Sequence, residues 1–182
     1  MTDDLFFDTD CLSSFLWIDQ TDILEKLYGG RIMIPGPVYR ELSNPCIPHM
    51  KAKTDALLRR KTAQLRQIGT DREEYHTYRT LVKGTKDKRA IGKGDAAAIA
   101  LARVGDGILA SNNWKDIAQY IEEYDLKHID TGHILIEGLR QGFITEYEGN
   151  VIWRQMRGKN RRLPGKTFSD YLNSDKGFVY KA

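Results

Sequence analysis

The chain has 182 residues, of which 41% are hydrophobic and 29% charged, with a net charge of +3. That length supports one good hydrophobic core, and Cys11 and Cys46 are too few for a disulfide framework, so a reducing cytoplasm is the expected compartment. No apolar run reaches the roughly 18 residues that a membrane helix needs, and the acidic N-terminus does not read as a signal peptide.

Leu5-Phe6-Phe7 runs straight into Asp8, which reads as a short buried parallel strand ending on an acid. In an open α/β sheet the carboxyl ends of the strands form the ligand crevice. A carboxylate there is costly to desolvate unless a cation or hydrogen-bond donors meet it, which makes Asp8 a candidate metal ligand. Helices are expected over residues 11–17 and 22–28, the second capped by Asp19 or Thr21 and stopped by Gly29-Gly30. Residues 31–34 form the next strand. Pro35-Gly36-Pro37 breaks it, and residues 38–42 make a helical turn carrying Glu41.

Residues 49–68 show helical spacing (Ala56, Leu57, Leu58, Ala63, Leu65), followed by a second helix over 71–82 and a cationic loop at 84–91. Gly92-Lys93-Gly94 then turns into an alanine-rich helix whose small side chains favour close packing. Asp95 stands in its first turn, where the helix dipole favours negative charge. A third strand at 107–110 leads through Ser111-Asn112-Asn113 to a helix beginning near Trp114–Asp116. A fourth strand covers 126–129, and a helix follows over 131–140. Strands alternating with helices predict a parallel sheet in a layered α/β fold. Residues 1–145 are expected as the main domain and 146–182 as a short basic, aromatic extension packed on or beside it, ending in an extended tail.

Asp8, Glu41, Asp95 and Asp116 thus fall at comparable places. Four acids in one crevice repel one another unless a divalent cation neutralises them, and hard oxygen donors suit Mg²⁺ or Mn²⁺. Such an ion activates a water and offsets charge on phosphorus, which is metal-assisted phosphodiester hydrolysis. Thr9, Ser111 and Asn113 are placed to orient these carboxylates by hydrogen bonds. Each acid also has a plainer reading: Asp8 as a helix cap, Glu41 and Asp116 as surface helix residues, Asp95 as a dipole partner. The histidines, tryptophans and cysteines read as packing or surface residues.

The charge comes in blocks. Residues 1–48 carry −5, 49–93 carry +8, 94–150 carry −6 and 151–182 carry +6. The basic segments Lys51–Lys93 and Arg154–Lys166 would draw a polyanion towards the acids.

Phe7-Asp8-Thr9-Asp10-Cys11-Leu12, Pro35-Gly36-Pro37-Val38-Tyr39-Arg40-Glu41-Leu42, Gly94 to Ala102 and Leu109-Ala110-Ser111-Asn112-Asn113 together resemble a PIN domain over residues 4–142. The nearest likeness is to the VapC-like ribonuclease toxins of type II toxin–antitoxin pairs. The resemblance implies a three-layer α/β/α sandwich around a parallel sheet, Mg²⁺ or Mn²⁺ as cofactor, RNA as substrate and an antitoxin protein in the acidic groove. A homodimer is compatible with it. The family usually carries an acid shortly after the third catalytic strand, where this chain has Asn112-Asn113, so Asp116 takes the fourth place. Two other readings stand beside this one. A binding module that kept the fold and lost activity is suggested by Asn112-Asn113. A haloacid-dehalogenase-like phosphatase would use Asp8 as nucleophile and Asp10 as acid, but it wants a later acidic pair where only Asp130 stands.

Overall fold

A computed structural model describes residues 3–174. In chain order the elements are β1 (Leu5–Phe7), α1 (Thr9–Trp17), α2 (Thr21–Tyr28), β2 (Ile32–Pro35), α3 (Gly36–Leu42), α4 (Pro48–Arg59) and β3 (Ala63–Arg66). Then come α5 (Glu73–Lys83), α6 (Lys93–Val104), β4 (Ile108–Ala110), α7 (Trp114–Glu123), β5 (Lys127–Ile129), α8 (Thr131–Arg140), α9 (Glu146–Gly158) and α10 (Phe168–Leu172). The expected extended tail falls partly on residues 175–182, which lie outside the described residues.

The strands form one sheet, all parallel, in the order β3-β2-β1-β4-β5. Side chains alternate across it, as period two requires. Leu5 and Phe7 enter a core with Leu12, Phe15, Ile34, Val38 and Ile134 on one face. Phe6, Met33 and Leu109 enter a second core with Leu81, Ile99, Ile117 and Tyr120 on the other. Helices therefore cover both faces, giving the three-layer α/β/α sandwich. In α6, Ala96, Ala98 and Ala102 are fully buried, and these small side chains let the helix lie close against the sheet. Trp153 and Met156 of α9 and Phe168 and Tyr171 of α10 join the same core as Phe7. None of the described helices is long and apolar enough to cross a membrane.

Two expectations are corrected. The helical spacing over 49–68 does not persist: α4 ends at Arg59, Lys61 turns through φ 58°, and residues 63–66 become a fifth strand beside β2. Only Ala63 of that strand is buried, so its pattern lacks the alternation that marks a strand. The second helix is capped by neither Asp19 nor Thr21. Its N-cap is Gln20, which makes no side-chain capping bond, and Asp19 sits in the left-handed region at φ 57°.

Candidate active site

The strand order reverses between β1 and β4, and the crevice at their carboxyl ends is where an open α/β sheet places its ligands. Asp8 follows β1 there, is fully buried, and caps α1 by accepting from the Cys11 amide at 2.6 Å. The capping role and a place in the crevice therefore coexist in one side chain. Its other oxygen accepts from the hydroxyl of Ser111, the first residue after β4. Burial, then the charge of Asp95, push the Asp8 carboxyl well above the usual range, against the hydrogen bonds from Ser111 and Cys11.

Asp95 arrives from the first turn of α6. Burial raises its carboxyl to about 6; the Asn113 hydrogen bond opposes this and the Asp116 charge adds to it. Asn113 donates through Nδ2 both to Asp95 (2.9 Å) and to Asp116 (3.0 Å), so Asp116 turns back into the crevice instead of pointing to solvent. Asn113 is itself held by its amide, which donates to Ser111 Oγ at 3.1 Å. Glu41, at the exposed end of α3, accepts from the Thr9 hydroxyl. All four acids chosen from the sequence thus reach one crevice, and Thr9, Ser111 and Asn113 each hold at least one of them.

Gly94 makes this convergence possible. A Cβ there would stand 2.6 Å from Thr9 Oγ1 and 3.1 Å from Glu41 Oε2, so α6 approaches this closely only with glycine at that point. The fold also pairs Asp10 with Arg161, which sequence reasoning misses. Arg161, from the segment after α9, donates to Asp10 (3.4 Å) and Ser13 (3.3 Å) of α1 and lies over the Trp17 ring. Burial raises the Asp10 carboxyl, and the charges of Arg161 and Arg162 oppose that. A separation of 151 residues hides this contact from any local pattern. The histidines stay clear of the four acids: His128 Nε2 meets the Ser111 carbonyl at 2.8 Å, and His133 pairs with Asp130.

The donor set suits a hard divalent ion in chemistry and in charge. It offers carboxylate and hydroxyl oxygens, and among the described residues no lysine or arginine is ion-paired with any of the four acids. As the side chains stand, no three His, Cys, Asp or Glu among the described residues are arranged to hold an ion together. In this arrangement Asp8, Asp95, Asp116 and Glu41 each accept a hydrogen bond from Ser111, Asn113 or Thr9, which leaves further acceptor capacity on every carboxylate.

A family model described as a PIN domain matches residues 5–176. No curated protein matches the sequence.

Proposed function

The chain belongs to the PIN-domain family, whose members are generally nucleases, and from that premise we propose that it is a divalent-metal-dependent endoribonuclease acting as the toxin of a toxin–antitoxin pair. The observation that carries the nuclease reading is the pairing of Asp8 with Asp95. Both are acids with raised pKa, held in one crevice by hydroxyl and amide donors and, among the described residues, without an ion-paired cation. Carboxyls raised by burial and by neighbouring acids, Asp95 beside Asp8 and Asp116 beside Asp95, cluster at functional sites. The toxin role, the cognate antitoxin and a cytoplasmic setting rest on the motif likeness, and buried Cys11 and exposed Cys46, both free thiols, agree with that setting.

Asp8, Glu41, Asp95 and Asp116 would hold Mg²⁺ or Mn²⁺. When bound, such an ion lowers the pKa of a coordinated water and offsets charge on the attacked phosphorus. The protein's own work is positional. Ser111 fixes the Asp8 carboxyl, Thr9 fixes Glu41, and Asn113 sets the spacing of Asp95 and Asp116. Asn113 supplies donors where a fifth acid would add repulsion, so the crevice keeps its oxygen donors at lower charge. The raised Asp95 is part-protonated near pH 6, and its deprotonation on the alkaline side prepares the site for a cation.

The test is cleavage of a labelled structured RNA with Mn²⁺ or with EDTA, comparing wild type and Asp8→Asn. Cleavage that EDTA stops and the substitution abolishes supports the reading. RNA left intact by antitoxin-free protein at every metal concentration would favour the binding module suggested by Asn112-Asn113.

A further inference from the structure

Beside the acid crevice, at the free edge of the sheet, lies a cavity of about 600 Å³. Among the described residues β5 is the terminal strand and pairs with β4 alone, and this flank is closed by α7 and by the segment before α10. Ser111 lines the cavity and also donates to Asp8, so cavity and acid cluster share a residue. Trp114 stands on the cavity wall at the start of α7 and is 55% exposed, an unusual state for an indole. Its ring centre lies 5.4 Å from that of His128, with the two planes tilted by 49°. His128 Nε2 faces a carbonyl and must donate to it, so the neutral ring leaves Nδ1 as an acceptor.

The volume is that of a small-molecule site and is large enough for one nucleotide unit. Glu122 and Asp125 also line it, which disfavours a phosphate inside and offers acceptors to base amino groups. Exposed Arg162 on the same wall supplies the charge a neighbouring phosphate needs. We propose that this cavity receives one unpaired nucleobase of an RNA strand, stacked on Trp114, while the adjoining phosphate lies at the Asp8–Asp95 cluster. The choice of occupant rests on the nuclease reading. Aromatic faces with nearby hydrogen-bonding groups are how single-stranded RNA is held with its bases splayed.

The full chain, in EDTA, is titrated with the nucleosides adenosine, guanosine, cytidine and uridine, which carry no phosphate for the metal-free acids to repel, while its tryptophan fluorescence is followed. At least one nucleoside should quench saturably below about 10 mM. Trp114→Phe should abolish that signal, and Ile121→Phe, which narrows the cavity and leaves Trp114 in place, should weaken binding about tenfold. In cleavage assays Trp114→Ala should act mainly on KM, raising it about tenfold, the scale of removing one base stack. No saturable quench by any of the four, or the same quench in Trp114→Phe, overturns the proposal. RNA left uncut with Mn²⁺ beside a quench that disappears in Trp114→Phe upholds the cavity and removes the nuclease reading. Cut RNA without any quench removes the cavity alone.

Discussion

Asp95 carries opposed demands, one for stability and one for chemistry. Its carboxyl moves from 3.8 to about 6 on folding, burial being the main cause. The folded chain therefore binds a proton that the unfolded chain has released, and stability falls as pH rises from about 4 to about 6, then stays lower. Asp8 shifts in the same direction for the same reason. Replacing Asp95 by Asn removes that cost and keeps a side chain that Asn113 can still bond. We expect Asp95→Asn in EDTA at neutral pH to melt several degrees higher than wild type, since each kcal/mol of relieved cost moves Tm by about 2–4 °C at this chain length. The slope of Tm between pH 4 and pH 6 should flatten, and RNA cleavage should fall by more than about a hundredfold. A variant that melts lower at neutral pH would remove the electrostatic cost. Asn113→Asp tests the other side of the balance. It exchanges a donor shared by two carboxylates for a further negative charge, and should lose about 1–3 kcal/mol in EDTA. Mn²⁺ should then raise its Tm more than it raises that of wild type, because ion binding stabilises in proportion to affinity.

The C-terminal helices are pinned by contacts of a different kind. Gly149 of α9 and Gly132 of α8 leave room for rings of α10: a Cβ would stand 2.4 Å from Phe168 at the first and 2.2 Å from Tyr171 at the second. The Tyr171 hydroxyl then donates to Asp130 at 2.8 Å, beside the His133 amide at 3.0 Å. Burial pushes the Asp130 carboxyl up, but its bonds with His133 and Tyr171 outweigh that, and it ends below its ordinary 3.8. A depressed carboxyl stabilises above its unfolded pKa and loses that contribution as pH falls through the folded value. Asp130→Asn should therefore cost about 1–3 kcal/mol in urea unfolding at pH 7, and the gap to wild type should narrow below pH 4. A gap that stays constant with pH would exclude a charged Asp130 as its source. These helices also show how far a sequence can be read. Asp130 and Thr145 with Glu148 are local capping signals, and the helices after them begin where such signals predict. Asp8, Asp95 and Asp116 were legible because each sits where a strand ends or a helix begins, and Glu41 because it lies on the short helical turn after Pro35-Gly36-Pro37. Gly132, Gly149 and the Arg161–Asp10 pair join points far apart in the chain, and β3 presents a single buried residue, so neither carries a periodic trace.

On the scale of the whole molecule, alternating charge blocks fold into a molecule whose basic residues are not equivalent. Lys51, Lys53, Arg60, Arg66 and Lys88 of the +8 block are ion-paired with Asp55, Asp19, Glu25, Asp4 and Glu123. Their charge is already met within the fold and is little available to a polyanion. Lys86, Arg89 and Lys93 form no ion pair among the described residues, and exposed Lys93 begins α6, two residues before Asp95. A strand passing along the loop into α6 would meet three exposed cations whose charge is not already met within the fold. Removing one cation from a phosphate lowers the salt slope of single-strand binding by about 0.7, so neutralising all three should reduce it by about 2 and weaken binding alike for every sequence. Neutralising Lys51 and Lys53 should leave the slope nearly unchanged, although it removes almost as much formal charge. Fluorescence anisotropy of a labelled single-stranded RNA in EDTA, over a series of KCl concentrations, separates the two sets. Equal slopes for both would mean that RNA responds to net charge alone and that the basic loop before α6 has no special place on its path.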